Sequence, residues 1–258
     1  MAGKNQRSSS RPGQRGGAWI YGRHAVLAAI ANSARTSREL VVTRALEAEL
    51  LEGPHARPLP QGLSPVVLSN EEISRLLIRG AVHQGIALQA DPLPDPDLDT
   101  ACRPAGQGRS VVVVLDQVTD PQNVGAILRS AAAFGAQAVV TTERNAPSPM
   151  GSLAKAASGA LEHVPYVRVA NLGRALDTLG GLGFWRLGMD GTAPQTLQDA
   201  DTSGHIALVF GAEGAGLRRL TAQKCDFLIR LPVSDKVESL NVSNAAAVAL
   251  YEVTRDPS

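Results

Sequence analysis

The sequence contains few cysteines and no long apolar run. Cys102 and Cys225 are its only cysteines among 258 residues, too few for a disulfide framework or a tetrahedral zinc site, and its histidines are not spaced as metal ligands. No apolar run approaches the roughly 20 residues of a membrane-spanning helix, and no apolar stretch of a signal peptide follows the basic N-terminus. We therefore predict a cytoplasmic protein without a structural metal or a membrane partner.

The sequence also has almost no net charge. Its 25 basic side chains nearly balance 24 acidic ones, so the formal net charge is +1. This excludes the strongly basic surface of an indiscriminate nucleic-acid binder, because affinity for phosphate backbones is largely electrostatic. An RNA partner would have to bind at local patches. One candidate is the basic tail over residues 1–18, which is either a disordered solubilising leader or an arm that touches RNA.

The N-terminal part has the pattern of a small α/β domain. A helical pattern begins at Tyr21, strands are predicted near residues 40–43, 66–68 and 85–90, and Ser69 with Glu72 forms a helix-starting capping box. Together these elements predict a domain over residues 19–90. Proline then alternates with carboxylates, and such a sequence can join neither a helix nor a strand ladder. We predict a semi-rigid linker over residues 91–109.

The C-terminal part, residues 110–258, alternates apolar strands with helices. Runs without polar interruption are typical of strands that are buried on both faces, and helices between them favour a parallel sheet covered on each side. Helices are predicted from Asn123 to Phe134, after a cap at Asn171, and after a cap at Ser243. The predicted strands lie at residues 111–115, 138–140, 184–189, 206–210 and 227–231.

Three polar or glycine-rich segments follow predicted strands, where open α/β sheets bind ligands. The first contains Asn123 and Arg129; the alternative interpretation is that Asn123 is a helix cap and Arg129 a solvated surface charge. The second, residues 211–216, has glycine at three of six positions. It lets a backbone approach a ligand closely but lacks the dinucleotide and P-loop patterns; the alternative is a plain tight turn. The third, Ser239 to Asn241, precedes a helix of small residues, and its alternative is capping with close helix packing.

Taken together, the three segments resemble, in order and spacing, the signature motifs of the SpoU (TrmH-type) family of RNA ribose 2′-O-methyltransferases. Asn123 with Arg129, residues 211–216 and residues 239–243 correspond to the three motifs, and the resemblance covers residues 110–255. In the N-terminal part, residues 21–26 and 82–86 resemble the substrate-binding domain of the family's enzymes that methylate a guanosine of 23S rRNA.

The resemblance implies a fold, a cofactor, partners and roles. The implied fold is α/β: a small ribosomal-protein-like α/β domain is followed by a SPOUT methyltransferase domain with a parallel sheet. The chain of the SPOUT domain forms a trefoil knot, against the general rule that chains do not knot. The family acts as homodimers on RNA, here 23S rRNA, with S-adenosylmethionine. The implied residues are, for catalysis, Asn123, Arg129, Glu213, Ser239 and Asn241; for cofactor binding, Gly211, Gly216, Leu231 and Leu240; for RNA binding, Arg23, His24, His83 and Gln84.

The role of Arg129 is open to two interpretations. The family proposal gives this arginine the task of taking the 2′-hydroxyl proton. A guanidinium is essentially always protonated in proteins, so we favour the hypothesis that Arg129 holds an adjacent RNA phosphate while the proton leaves late to phosphate or water. His24 and His83 also have two interpretations, because each could contact RNA bases or be a structural histidine.

Two other functions are compatible with this sequence. One is a non-catalytic RNA-binding assembly factor that keeps the fold, and the presence of Asn123, Arg129, Glu213 and Asn241 argues against it. The other is a related enzyme that methylates tRNA or another rRNA site. The small N-terminal domain disfavours a tRNA enzyme.

Overall fold

A computed structural model of the chain describes residues 18–52, 58–104, 106, 108–234, 236, 237 and 239–255. All but the last residue of the predicted basic tail lies outside these ranges. Within them, no helix is long and apolar enough to cross a bilayer. The described chain forms two sheets, one of four strands and one of seven.

The smaller sheet is built by the N-terminal part of the chain. Its strands lie in the order β1-β4-β2-β3, and only the β2–β3 pair is parallel. The predicted strands and the capped helix are present, while β1 and α2 are additional elements. The predicted start of the first helix was wrong, because Tyr21 ends β1 and the helix begins at Arg23. The elements are β1 (Ala18–Tyr21), α1 (Arg23–Ala31), β2 (Ser37–Val42), α2 (Arg44–Glu52), β3 (Pro65–Val67), α3 (Asn70–Leu76) and β4 (Ile86–Ala90).

The larger sheet is parallel throughout, as predicted. Its strands lie in the order β7-β6-β5-β10-β8-β11-β9. All five predicted strands are present, and β7 and β9 are additional. The strands are β5 (Val111–Asp116), β6 (Ala138–Thr142), β7 (Tyr166–Val169), β8 (Phe184–Met189), β9 (Gln195–Thr196), β10 (His205–Gly211) and β11 (Phe227–Arg230). The helices are α5 (Pro121–Ala133), α6 (Gly151–Ala157), α7 (Leu172–Gly181), α8 (Arg219–Ala222) and α9 (Val242–Thr254).

Apolar layers cover both faces of this sheet. Alternate residues of a strand point to opposite faces, so Val113 and Leu115 of β5 pack in the layer that contains α5 and α9. Val112 and Val114 pack in the layer that contains α7. All six residues of β5 are buried, which explains why this strand lacks the polar alternation of a half-exposed one.

The predicted linker contains a helix that we did not expect, α4 (Leu98–Cys102). The alternating prolines before this helix end at Pro96, and the side chain of Asp97 caps the helix by accepting a hydrogen bond from the amide of Thr100 at 3.0 Å. Cys102 is fully buried in the layer that contains α7. Burial raises the pKa of its thiol to about 12, so Cys102 packs as a protonated, apolar side chain.

The other predicted helix starts were correct in two places and wrong in two. The capping box of Ser69 and Glu72 and the cap at Asn171 are both present. Helix α5 begins two residues before Asn123, because Asp120 caps it and proline is favoured in the first helical turn. Asn241, not Ser243, caps α9 by accepting a hydrogen bond from the amide of Ser243 at 2.9 Å.

A buried ion pair joins the two parts of the chain. Arg35, after α1, lies 2.7 Å from Glu162, which ends a 3₁₀ turn beyond α6, and the two side chains are only 2% and 4% exposed. Asn32 donates a second hydrogen bond to Glu162 at 2.8 Å. A single apolar cluster continues across the contact, from Val26 of α1 to Leu153 of α6. The smaller sheet is therefore packed on the part of the chain that contains the larger sheet and not merely tethered to it.

His83 makes two hydrogen bonds within the smaller sheet's part and is 8% exposed. Its Nδ1 accepts from the amide of Gly85 at 3.1 Å, which puts the ring proton on Nε2, 3.0 Å from the hydroxyl of Ser74. This placement favours the structural interpretation of His83 over contact with RNA.

The buried ring predicts a pH-dependent stability. Burial lowers the pKa of His83 below its ordinary value of 6.5, so the unfolded state binds a proton more readily than the folded state. Stability from this group is therefore present above about pH 6.5 and is lost as the pH falls below it. Urea unfolding above and below this pH should show that the free energy of unfolding falls at the lower pH, and that it falls less in the His83→Gln variant than in the wild type. An equal decrease in both proteins would contradict His83 as the cause of the pH-dependent stability.

Candidate active site

The three predicted site segments leave the same edge of the larger sheet. Strands β5, β10 and β11 run parallel, so their carboxyl ends share one edge, and Gly211 at the end of β10 lies beside Asp116 at the end of β5. The structure adds a fourth segment. Strand β8 lies between β10 and β11, so the loop after it, residues 190–193, emerges between the glycine-rich turn and residues 231–240. The strand itself was predicted, but its loop has no motif that would have indicated a site.

Asn123 and Asn241 are in contact although 118 positions separate them in the chain. The Nδ2 of Asn241 donates to the Oδ1 of Asn123 at 3.0 Å, while the Oδ1 of Asn241 accepts from both the amide and the hydroxyl of Ser243. The capping bond therefore fixes the Asn241 amide in one orientation. The Nδ2 of Asn123 has no hydrogen-bond partner among the described residues, so this donor remains available to a ligand.

The glycine-rich turn requires glycine at Gly211 for a steric reason. A Cβ at this position would lie 2.0 Å from the carbonyl carbon of Gly216 and 2.3 Å from the amide nitrogen of Leu217. The chain can fold back so closely only because Gly211 has no side chain. The amide of Gly216 donates to the carbonyl of Ala212 at 2.8 Å and closes the turn. Glu213 lies exposed at its tip.

Asp116 and Arg218 hold this turn against β5, and sequence reasoning gave them no role. Asp116 is completely buried at the end of its strand. Its carboxylate accepts a hydrogen bond from the amide of Arg218 at 3.0 Å and another from its Nε at 2.6 Å. A buried carboxylate needs such partners because its desolvation is costly. A carboxylate directly after five apolar residues was the available signal.

Three predicted catalytic residues are not gathered at the asparagine pair. Arg129, Glu213 and Ser239 are exposed, and none of their side chains makes a hydrogen bond to the residues that the structure describes. Arg129 lies six residues beyond Asn123 on α5. At 1.5 Å and 100° per residue, it is displaced by about 9 Å along the helix and about 120° around it. The structure thus brings Asn123 and Asn241 together but places Arg129 on another side of α5.

An apolar surface lies at the same sheet edge as the glycine-rich turn, beyond the loop after β8. Leu231 is half-buried, and the segment from there to α9 exposes Leu240 (36%), Val233 (42%) and Val237 (51%). Exposed aliphatic side chains next to a closely folded backbone fit an aromatic ring with polar edges, such as an adenosine. No group of three metal-ligating side chains occurs in the part of the chain that the structure describes.

Three of the four predicted RNA-binding residues, Arg23, His24 and Gln84, lie where α1 meets α6, whereas His83 is buried against Ser74. The amide of Arg23 and the Nζ of Lys155 both donate to the Oε1 of Gln84, at 3.1 and 2.6 Å, so Gln84 bridges the two parts of the chain. The guanidinium of Arg23 pairs with Glu49. His24 is exposed and lines a cavity of about 650 Å³. These residues form an accessible polar surface well separated in the chain from the asparagine pair.

Comparisons with known proteins cover both parts of the chain. Residues 110–251 match the model of the SpoU rRNA Methylase family, and residues 19–96 match the model described as RNA 2′-O ribose methyltransferase substrate binding. The 23S rRNA (guanosine-2′-O-)-methyltransferase RlmB of Coxiella burnetii is 38% identical over 239 residues, which cover 92% of this chain and 94% of the relative. RlmB of Escherichia coli is also 38% identical and is covered to 98% by 93% of this chain.

A solved structure shares the fold. The SpoU methyltransferase AviRb from Streptomyces viridochromogenes, crystallised with the cofactor AdoMet, superposes with a TM-score of 0.74. The match covers 92% of this chain and 88% of that one at 24% sequence identity. At this identity the likeness concerns the fold alone, and the chemistry must be argued from the residues and from the closer relatives.

Proposed function

Because this chain belongs to the SpoU rRNA methylase family, we propose that it transfers a methyl group from S-adenosylmethionine to the ribose 2′-hydroxyl of a guanosine in 23S rRNA. The assignment of the substrate rests on the similarity to two RlmB enzymes over more than nine-tenths of the chain, including the substrate-binding part. Both relatives are named as 23S rRNA enzymes, which favours this substrate over tRNA and favours an enzyme over a non-catalytic factor.

Residues at the sheet edge would hold the cofactor. S-adenosylmethionine, when bound, supplies a methyl group activated by a sulfonium. We assign its binding to the backbone of the turn at Gly211 and Gly216 and to the aliphatic side chains of Leu231 and Leu240. Support comes from the close backbone packing of the turn and from the exposed apolar surface at the same sheet edge. The protein's remaining task is to position the ribose and to let its proton leave.

The asparagine pair is suited to positioning. We assign the available Nδ2 donor of Asn123 to the ribose and the Nδ2 bond of Asn241 to the orientation of Asn123. Arg129 would hold the neighbouring phosphate as a permanent cation, and the 2′-hydroxyl proton would leave late to phosphate or water. Glu213 and Ser239 would orient the two loops around the ribose. Misplacement by 1 Å is sufficient to cost roughly a hundredfold in rate.

The substrate is tested by mapping ribose methylation on total RNA from cells with and without the gene. We expect the deletion strain to lose one mark, at a guanosine of 23S rRNA. Loss of a methylation mark in tRNA, with the marks in rRNA unchanged, would overturn the assignment of 23S rRNA as the substrate. Purified protein that binds S-adenosylmethionine in a calorimeter but transfers no methyl group to the unmodified 23S rRNA would support the non-catalytic factor instead.

We also propose that the protein is a homodimer whose interface includes α9. Support comes from two exposed apolar side chains on this helix, Val248 at 49% and Tyr251 at 57%, and from Phe134 of α5, whose ring meets that of Tyr251 at 5.9 Å. Contiguous exposed apolar groups are typical of interaction surfaces.

The dimer predicts a specific effect of charge at this surface. Tyr251→Glu should shift the protein from dimer to monomer in light scattering, because an unpaired carboxylate would be buried at the interface. Val82→Glu, at a side chain that is 67% exposed in the other part of the chain, should leave the mass unchanged. A wild-type protein that is monomeric at all concentrations would contradict the dimer.

Membership of the family also supports proposals on the domain boundaries, the path of the chain and the cellular location. We propose that residues 19–90 form the RNA substrate-binding domain, that residues 91–109 connect it, and that residues 110–258 form a SPOUT domain whose C-terminal chain is threaded as a trefoil knot. A chain trace from a crystal structure checks the knot. We place the reaction in the cytoplasm, where bacterial ribosomal RNA is made, and cell fractionation checks this.

A further inference from the structure

A basic pocket lies between α7 and α8. Its volume is about 770 Å³, and its charged lining residues are Arg174, Asp177, Arg218, Arg219 and Lys224. None of the lining residues is aromatic, so the pocket lacks the ring faces on which bases stack. Besides four cationic residues and Asp177, its lining consists of polar residues and of apolar residues without rings, among them Leu172 and Leu220.

The charges in this pocket are not balanced. Lys224 pairs with Asp177 at 2.6 Å, and Arg218 pairs with the buried Asp116. Arg174 and Arg219 are exposed and form no ion pair with any residue that the structure describes. Two cations are therefore available in one pocket of a chain whose net charge is only +1. Such a local excess attracts a polyanion although the whole protein is nearly neutral.

The pocket lies on the same sheet edge as the asparagine pair. Thr142 ends β6, Asn171 caps α7 directly after β7, and Arg218 follows the glycine-rich turn of β10, and all three line the pocket. Strand β6 is the neighbour of β5, at whose carboxyl end α5 begins. Adjacent strands are about 4.8 Å apart, so the pocket and Asn123 start from neighbouring strand ends of one sheet edge, the pocket on the side of α7 and Asn123 on the side of α5.

The local backbone adds to the positive potential. Helix α7, of ten residues, points its N-terminus at the pocket, and the positive end of a helix favours anions. The amide of Arg174 is already used by the Asn171 cap at 3.0 Å, so the helix end contributes its dipole more than free donors. The arginine side chains must supply the direct contacts.

We propose that this basic pocket binds the phosphodiester backbone of the substrate RNA beside the methylated ribose, with Arg174 and Arg219 as the contacting groups. The proposal rests on the proposed function, since it names a second contact of the same RNA. Backbone contacts fix the register of a nucleic acid without reading its sequence, which fits a lining of cations without aromatic rings. The pocket would hold the RNA strand while the asparagine pair orients the ribose.

The test is the double variant Arg174→Gln/Arg219→Gln, compared with the wild type and with Arg174→Lys/Arg219→Lys. Binding to a 23S rRNA fragment is measured by filter binding over a range of salt concentrations. We expect the glutamine variant to bind more weakly and to lose about one unit of salt slope for each phosphate contact removed. The lysine variant should stay close to the wild type, because a phosphate accepts either cation. An unrelated RNA of equal length should show the same loss of slope.

Methyl-transfer kinetics separate this role from a role in the cofactor site. The glutamine variant should have a raised KM for RNA, with kcat at saturating RNA and the calorimetric Kd for S-adenosylmethionine unchanged. An unchanged salt slope would overturn the proposal, and so would a weakened affinity for S-adenosylmethionine with RNA binding intact. A wild-type protein that binds RNA through this pocket without methylating it would contradict the proposed function while leaving the pocket's role standing.

Discussion

Replacing Glu162 with alanine should destabilise the protein by about 3–5 kcal/mol, because Arg35 would then be a buried charge without its carboxylate. The wild-type ion pair is nearly inaccessible, with 2% and 4% exposure, and Glu162 also accepts from Asn32. Arg35 retains only the carbonyl of Asp91 and the sulfur of Met150 as partners in the variant, and neither carries a neutralising charge. Urea unfolding measures the loss.

Two further variants test the cause of this effect. Arg35→Met/Glu162→Leu should recover most of the stability, because a buried ion pair can be replaced by apolar groups at little cost. Glu71→Ala should have an effect below about 1 kcal/mol, since the Glu71–Arg75 pair is 86% and 74% exposed. A loss for Glu162→Ala as small as that for Glu71→Ala would contradict the expectation.

Local features of the fold were predictable from sequence because they depend on neighbouring residues. Mainly apolar runs predicted the five principal strands of the larger sheet. The cap at Ser69 was identified from Glu72 three positions later, and the cap at Asn171 from the spaced leucines that follow it. The additional strands had weaker signals. In β7, which is four residues long, Arg168 interrupts the apolar residues in the middle of the strand, whereas the arginine of β11 stands at its end; β9 has only two residues. We did not predict α4, because the proline-rich composition of its segment outweighed the single good helix cap at Asp97.

Contacts between distant residues were not predictable in the same way. The bond between Asn123 and Asn241 and the ion pair between Arg35 and Glu162 span 118 and 127 positions. Nothing in the local pattern of either residue specifies its partner, since the strand order decides which loops meet. The sequence motifs placed Asn123 and Asn241 in one site only through the family resemblance. Asp116 was missed because its role depends on Arg218, which follows a different strand.

Arg129 is the residue whose replacement should reduce catalysis most. Arg129→Ala should lower kcat/KM for the rRNA fragment by a hundredfold or more, because the phosphate next to the ribose would no longer be held and the ribose would lose the distance and angle that the transfer needs. Its exposure on α5 and its lack of a hydrogen bond to the described residues predict little change in stability. The Kd for S-adenosylmethionine should also be unchanged. Arg44→Ala, at a side chain that is 83% exposed, is the matched control and should keep full activity.

The pH dependence of Arg129→Lys distinguishes a phosphate-holding cation from a proton acceptor. A lysine with a pKa near 10.4 stays cationic between about pH 7 and pH 9, so a lysine that holds phosphate should keep measurable activity with a flat single-turnover profile. If residue 129 takes the proton, only the neutral form is active, and the rate should rise about tenfold per pH unit up to the lysine pKa. A steep profile that moves with the substitution would show that Arg129 acts as the base. A flat profile requires that the proton leave without residue 129, which is what a permanently charged guanidinium leads us to expect.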